Sequence, residues 1–221
     1  MHRIHFRSTM ATGAAALLLL AARGAGAQAA TKPATIDYVA KARADSARLP
    51  YTEADVYFMQ GMISHHAQAI VMSRMAPTHG ASPTILTLCG RIINAQTDEI
   101  KVMQTWLADR NQMVPEAKPA PMKMKMNGMV MDMMMPGMLT DAQMKSLDAA
   151  RGLEFDRLFL TYMIQHHQGA VAMVKDLFAT DGAGQDELMF KIASDANVDQ
   201  TTEIARMQKM LTTIVLENRA P

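Results

Sequence analysis

From Thr52 onward the apolar residues recur at every third or fourth position, the spacing of a helix that buries one face. Phe58, Met62, His65, Ala69 and Met72 share such a face at about 3.6 residues per turn. No segment shows the strict alternation of a half-buried strand, so an all-α fold is expected. Thr52 to Asp55 reads as a capping box, Ser82-Pro83 as an N-cap with proline at the first helical position, and Thr140 with Gln143 as a second capping box. Pro77 and the Gly182/Gly184 pair interrupt the pattern between helices. Main helices are predicted over 52–76, 83–112, 140–179 and 185–217, with a shorter one before Pro50. Short connections make sequential helices antiparallel neighbours, so the four pair as two hairpins.

The chain also repeats itself. At an offset of 101, DVYFMQGMISHHAQAIVM (55–72) aligns with DRLFLTYMIQHHQGAVAM (156–173), with identities that include Asp55/Asp156, Met62/Met163, His65/His166, His66/His167 and Met72/Met173. At an offset of 104, QTDEIKVMQTWL (96–107) aligns with QTTEIARMQKML (200–211). Residues 30–221 therefore read as one duplicated domain: repeat one over 50–112, a linker over 113–139 and repeat two over 140–217. Pro115, Pro119, Pro121, Gly128, Pro136 and Gly137 break the linker, which is expected to hold no packed element. The expected architecture is a four-helix bundle of two tandem helical hairpins joined by this segment.

Residues 1–29 have a basic start at Arg3 and Arg7, an apolar run from Met10 to Ala22 and small-residue cleavage sites, the layout of a Sec-type signal peptide. The run is shorter than the roughly 20 residues that span a bilayer. The mature protein is thus expected in the periplasm or outside the cell, with no stable membrane insertion. Formal net charge is +1, and removing the signal arginines leaves the rest slightly acidic, which argues against nucleic acid as a partner.

Composition adds one anomaly, 23 methionines against a single cysteine, Cys89. One cysteine excludes an internal disulfide and a multi-cysteine zinc site. Nine of the methionines, Met122, Met124, Met126, Met129, Met131, Met133, Met134, Met135 and Met138, fall within 17 linker residues. Thioether is a soft neutral ligand suited to Cu(I) or Ag(I) and has little to offer zinc, magnesium or calcium. The plainer reading, flexible core filler, fits methionines on helices better than those of the linker.

The remaining candidates come in matched sets. Met62, His65, His66 and Met72 are echoed at Met163, His166, His167 and Met173. Adjacent histidines point about 100° apart, so one of each pair is expected inward and the other toward a neighbouring helix or the rim. Gln96, Glu99 and Met103, echoed at Gln200, Glu203 and Met207, share a second face. There Glu99 and Glu203, with Gln96 and Gln200 beside them, are placed to orient the histidines while Met103 and Met207 offer sulfur. A structural Glu–His contact without metal is the competing reading. Metal binding through imidazoles of ordinary pKa would weaken as pH falls from about 7.5 to 5.5. His79 and Cys89 occur in one repeat only and read as an exposed loop residue and a small buried hydrophobe, with a thiolate role for Cys89 left open.

The repeated D-x-x-F-x-x-x-M-x-x-H-H-x-x-A-x-x-M followed by Q-x-x-E-I-x-x-M resembles the domain of unknown function 305 (DUF305) family. Its studied members include CopM-like periplasmic copper-binding proteins with a ferritin-like helical bundle. The resemblance spans about 50–216 and implies extracytoplasmic copper binding or copper tolerance through Met and His ligands. Leu160 in place of Met59 and Met210 in place of Trp106 depart from exact duplication. The expected function is sequestration or delivery of Cu(I), and by the same softness Ag(I), without enzymatic turnover; a copper transporter or efflux component is the expected protein partner. A ferritin-like copper redox enzyme and a metal-free interaction module using the methionine arm are the alternatives. Di-iron chemistry is disfavoured because no glutamate has a histidine three residues on.

Overall fold

The structure is a computed structural model that describes residues 40–41, 50–126 and 129–217. The signal segment expected over 1–29 lies outside the described residues, as does most of the stretch expected to form a short helix before Pro50. The elements are α1 (Glu53–Met75), a single 3-10 turn (Ala76–Thr78), α2 (Pro83–Asp109), β1 (Met122–Met126), β2 (Met129–Met133), α3 (Asp141–Ala149), α4 (Gly152–Phe178) and α5 (Glu187–Glu217). Helix α1 packs on α2 and α4 on α5, and the two hairpins meet chiefly through α1 and α4. Among the described residues no helix is long and apolar enough to cross a membrane.

The caps form as their residue types dictate. The Thr52 hydroxyl accepts from the Asp55 N–H while the Asp55 carboxylate accepts from the Thr52 N–H, and Thr140 and Gln143 do the same for α3. Ser82 caps α2 ahead of Pro83. Asp55 has a second task, for its other carboxylate oxygen accepts the Gly184 N–H at 2.7 Å, from the loop of the opposite hairpin. Its repeat mate Asp156 accepts the Ser82 N–H at 3.2 Å in the opposite direction. Each buried aspartate thus ties the start of one hairpin's first helix to the turn of the other, which explains an identity that capping alone leaves unexplained.

The core forms two clusters related by the duplication. One holds Phe58, Met62 and Met103 from the first hairpin with Ala170, Met173 and Leu177 from the second. The other holds Phe159, Met163 and Met207 with Ala69, Met72 and Ala76. The hairpins therefore exchange side chains, and neither repeat buries its apolar face alone. Met59 and Leu160 are both fully buried, so that departure preserves core filling.

Three expectations need correction. The helix expected over 140–179 is two helices, because Ala150 and Arg151 are extended and Gly152 takes φ +57°. The break docks on His79, whose carbonyl accepts the Gly152 N–H at 2.8 Å and whose Nε2 lies 3.0 Å from the Asp148 carbonyl. His79 is accordingly buried rather than an exposed loop residue.

The linker is also ordered. Gln60 and Gln104 donate to the carbonyls of Met113 and Pro115, and Ser64 bonds Lys118 and Ala120, so 113–120 is tied along the first hairpin. Beyond it β1 and β2 pair antiparallel, with Met122 opposite Met133, Met124 opposite Met131 and Met126 opposite Met129. This register places six methionine positions on one face of the ribbon, alternating with Lys123, Lys125, Val130 and Asp132 on the other.

A strap over 134–139 then crosses α1 and α4. The Gln68 amide bonds Leu139 through both its oxygen and its nitrogen, and Gln165 donates to the Gly137 carbonyl. At Gly169, the repeat mate of Gln68, an added Cβ would meet the Pro136 oxygen at 1.9 Å. Only glycine lets the strap lie this close to α4.

Candidate metal centre

Helices α1 and α4 bring all four predicted histidines together, each at most 1% exposed. His65 and His166 meet where the helices touch, with ring centroids 3.7 Å apart. His66 and His167 turn to the flanking helices, as the 100° offset requires. His66 Nε2–H donates to Glu99 on α2 at 2.5 Å, and His167 Nε2–H to Glu203 on α5 at 2.6 Å. His65 Nε2–H donates to the Pro136 carbonyl of the strap at 3.0 Å.

These partners fix the tautomers. With Nε2 bonded on His65, His66 and His167, the Nδ1 of each is buried with no hydrogen-bond partner. His166 has neither nitrogen bonded, so it too holds one idle lone pair. The Gln96 and Gln200 side-chain oxygens, one helical turn before Glu99 and Glu203, are likewise buried and unpartnered. A buried polar atom left unpaired costs roughly 1–3 kcal/mol, so four such imidazoles on one pair of helices are a heavy burden for packing alone.

Burial, and next the neighbouring His66, push the pKa of His65 down to about 3, against a smaller opposing effect of the Pro136 carbonyl. Burial, then His65 and His167, hold His166 well below the usual imidazole range. Both rings stay neutral in the folded protein across the window from about 7.5 to 5.5. Proton competition at an ordinary imidazole pKa, the sequence expectation, therefore does not apply to this pair.

The helix methionines Met62, Met72, Met103, Met163, Met173 and Met207 are all buried. They divide between the two core clusters as Met62, Met103 and Met173, and Met163, Met207 and Met72, so each set draws one thioether from the opposite hairpin. That exchange follows from the antiparallel crossing of α1 and α4 and has no signature within either repeat. The linker methionines behave differently from one another. Met135 and Met138 are buried, Met122 packs partly buried against the first cluster, and Met129, Met133 and Met134 are exposed. Met124, Met126 and Met131 occupy the ribbon positions given above.

Among the described residues no three His, Cys, Asp or Glu side chains converge where they alone would hold a metal. Glu99 and Glu203 also border a cleft between α2 and α5 that includes Asp199, whose pKa is raised by burial and then by the charges of Glu99, Asp195 and Glu203. Cys89 is buried and its thiol is pushed up to about 12 by burial, so it is a small hydrophobe and not a thiolate.

Two helical hairpins that exchange core methionines and bury four histidines define a class, a duplicated His- and Met-rich helical protein. The chain belongs to the domain of unknown function 305 (DUF305) family, which matches residues 55–211. A DUF305 protein from Streptomyces coelicolor is similar at 28% identity and TM-score 0.61, covering 73% of this chain and 93% of that one. CopM in its Cu(I)-bound form is similar at 29% identity and TM-score 0.55, covering 74% and 98%. CopM in its Cu(II)-bound form is similar at 31% identity and TM-score 0.53, covering 72% and 96%. No curated protein matches the chain.

Proposed function

We propose that this protein binds Cu(I), and by the same chemistry Ag(I), outside the cytoplasm, and sequesters the ion or hands it on without turnover, as a component of metal tolerance. The observation that carries the reading is the set of four buried imidazoles, each with an idle ring nitrogen. A metal ion would satisfy lone pairs that no hydrogen-bond donor reaches. Thioethers from the core complete the ligand set, since among the described residues no three His, Cys, Asp or Glu side chains converge. Met62, Met103 and Met173 serve one half, and Met163, Met207 and Met72 the other. Glu99 and Glu203 hold His66 and His167 from behind, the arrangement that fixes ring orientation at histidine metal sites. The exposed Met129, Met133 and Met134 offer further thioethers for capture from solution. Structures of CopM with Cu(I), Cu(II) and Ag bound support the choice of metal. The sequence layout of residues 1–29 supports export, and a copper transporter or efflux component is the proposed recipient.

Soft ligands predict selectivity. In a competition titration against a chelator of known Cu(I) affinity, an equal concentration of Zn(II) is expected to leave Cu(I) bound. Displacement of Cu(I) by equimolar zinc would overturn the proposal, since imidazoles without thioethers accept zinc readily.

A further inference from the structure

The duplication relates the two halves of the core, but a single strap crosses them and cannot obey the symmetry. Its first residues border a pocket of about 560 Å³ lined by Tyr57, Met133, Met134, Met135, Met173 and Asp176, among others. The four thioethers grade from solvent to core: Met134 and Met133 are 42% and 36% exposed, Met173 and Met135 only 6% and 5%. Met173 in turn packs in one cluster with Met62 and Met103. The pseudo-equivalent position in the other half, Met72, is fully buried in a cluster with Leu139, Leu147, Ala150 and Phe155, which come from the strap's far end, α3 and the start of α4. One half of the core is therefore reached from a thioether-lined pocket while its counterpart is covered.

We propose that the pocket floored by Met135 and Met173 is the loading port of the metal centre, admitting a soft monovalent cation on one side of the molecule only. The inference rests on the copper-binding reading above. Among the described residues that line the pocket, Asp176 carries the one charge, and it attracts a cation. The lining is otherwise largely apolar and thioether-rich, so an ion passing inward must exchange water or a carrier's donor atoms for sulfur. Cu(I) and Ag(I) do this readily, whereas a strongly hydrated hard dication gains little from thioether. Each transfer is a ligand exchange in which a metal–sulfur bond to the next methionine forms as the bond to the previous donor breaks. Every donor keeps its electron pair, the metal keeps its oxidation state and no proton moves.

The test uses the full chain and Cu(I) supplied as its bicinchoninate complex, with loading followed by stopped-flow loss of the complex's absorbance. Leucine conserves methionine's volume, so a Met133→Leu/Met134→Leu double variant removes two exposed sulfurs without disturbing the core. Loading is expected to slow at least tenfold, far more than the equilibrium affinity falls. Met113→Leu, which removes an exposed thioether that does not line the pocket, should load at the wild-type rate. An unchanged rate in the double variant, or equal slowing by Met113→Leu, overturns the port while leaving the binding reading in place. Failure of the wild-type protein to take Cu(I) at equilibrium overturns both, and shows before any variant is made.

Discussion

Lowering the pH from 7 to 4.5 is expected to cost the metal-free protein at least about 3 kcal/mol of folding stability. The unfolded chain protonates its histidines near 6.5, whereas folded His65 resists protonation down to about 3. Between those values the unfolded state binds more protons, so stability is complete above about pH 6.5 and falls as the pH drops. Two pH units below the unfolded pKa correspond to about 3 kcal/mol for His65 alone. His166 is shifted in the same direction by the same burial and adds to the loss. Urea unfolding followed by circular dichroism at several pH values measures it. A His65→Gln/His166→Gln variant should show a shallower acid slope. Constant wild-type stability from pH 7 to 4.5 would mean the two rings are not buried as described.

The second large effect lies far from the histidines. Asp186 accepts from the Trp106 indole at 3.0 Å, from Arg110 Nη2 at 2.5 Å and from the Met189 N–H at 2.9 Å, so it caps α5 and neutralises a buried guanidinium at once. Arg110 also lies 4.1 Å over the Trp106 ring. Asp186→Ala is expected to destabilise the protein by about 3–5 kcal/mol, because it removes at once a buried carboxylate–guanidinium pair, the indole's acceptor and the cap of α5. Asp186→Asn retains a capping oxygen and should fall between the two. Trp106 is the only tryptophan, so its fluorescence reports the loss directly in denaturant titrations. A cost below about 1 kcal/mol for Asp186→Ala would contradict the network. The same network accounts for Met210 in place of Trp106, since position 82 in the first repeat, the counterpart of Asp186, is a serine with no carboxylate for an indole N–H.

Helix starts were legible because caps are local: Thr52, Ser82 and Thr140 satisfy N–H groups within three residues of themselves. The pairing of His66 with Glu99 and of His167 with Glu203 was legible because helical spacing aligned two polar faces that the duplication repeats. The methionine ribbon carried a readable signal that its prolines and glycines masked. Against the expectation that no segment alternates as a strand does, MKMKM alternates strictly and forms β1, and Asn127-Gly128 is the dipeptide favoured in two-residue hairpin turns. Gly152, inside a helical pattern, was the clue to the break before α4. Other features leave no trace in residue type. The partner of His65 is a backbone carbonyl of the strap, and the exchange of Met72 and Met173 between halves is a property of how α1 and α4 cross.

The most direct test of the central claim is X-ray absorption at the copper edge on the Cu(I)-loaded mature protein. Nitrogen and sulfur scatterers together in the first coordination sphere are the result expected if idle imidazole nitrogens and core thioethers share the metal. Replacing His65, His66, His166 and His167 should then remove the nitrogen component and leave the sulfur. A sphere of sulfur alone in the wild-type protein would make the buried histidines structural, and one of nitrogen and oxygen alone would leave the methionines as core filler; either result would contradict the account.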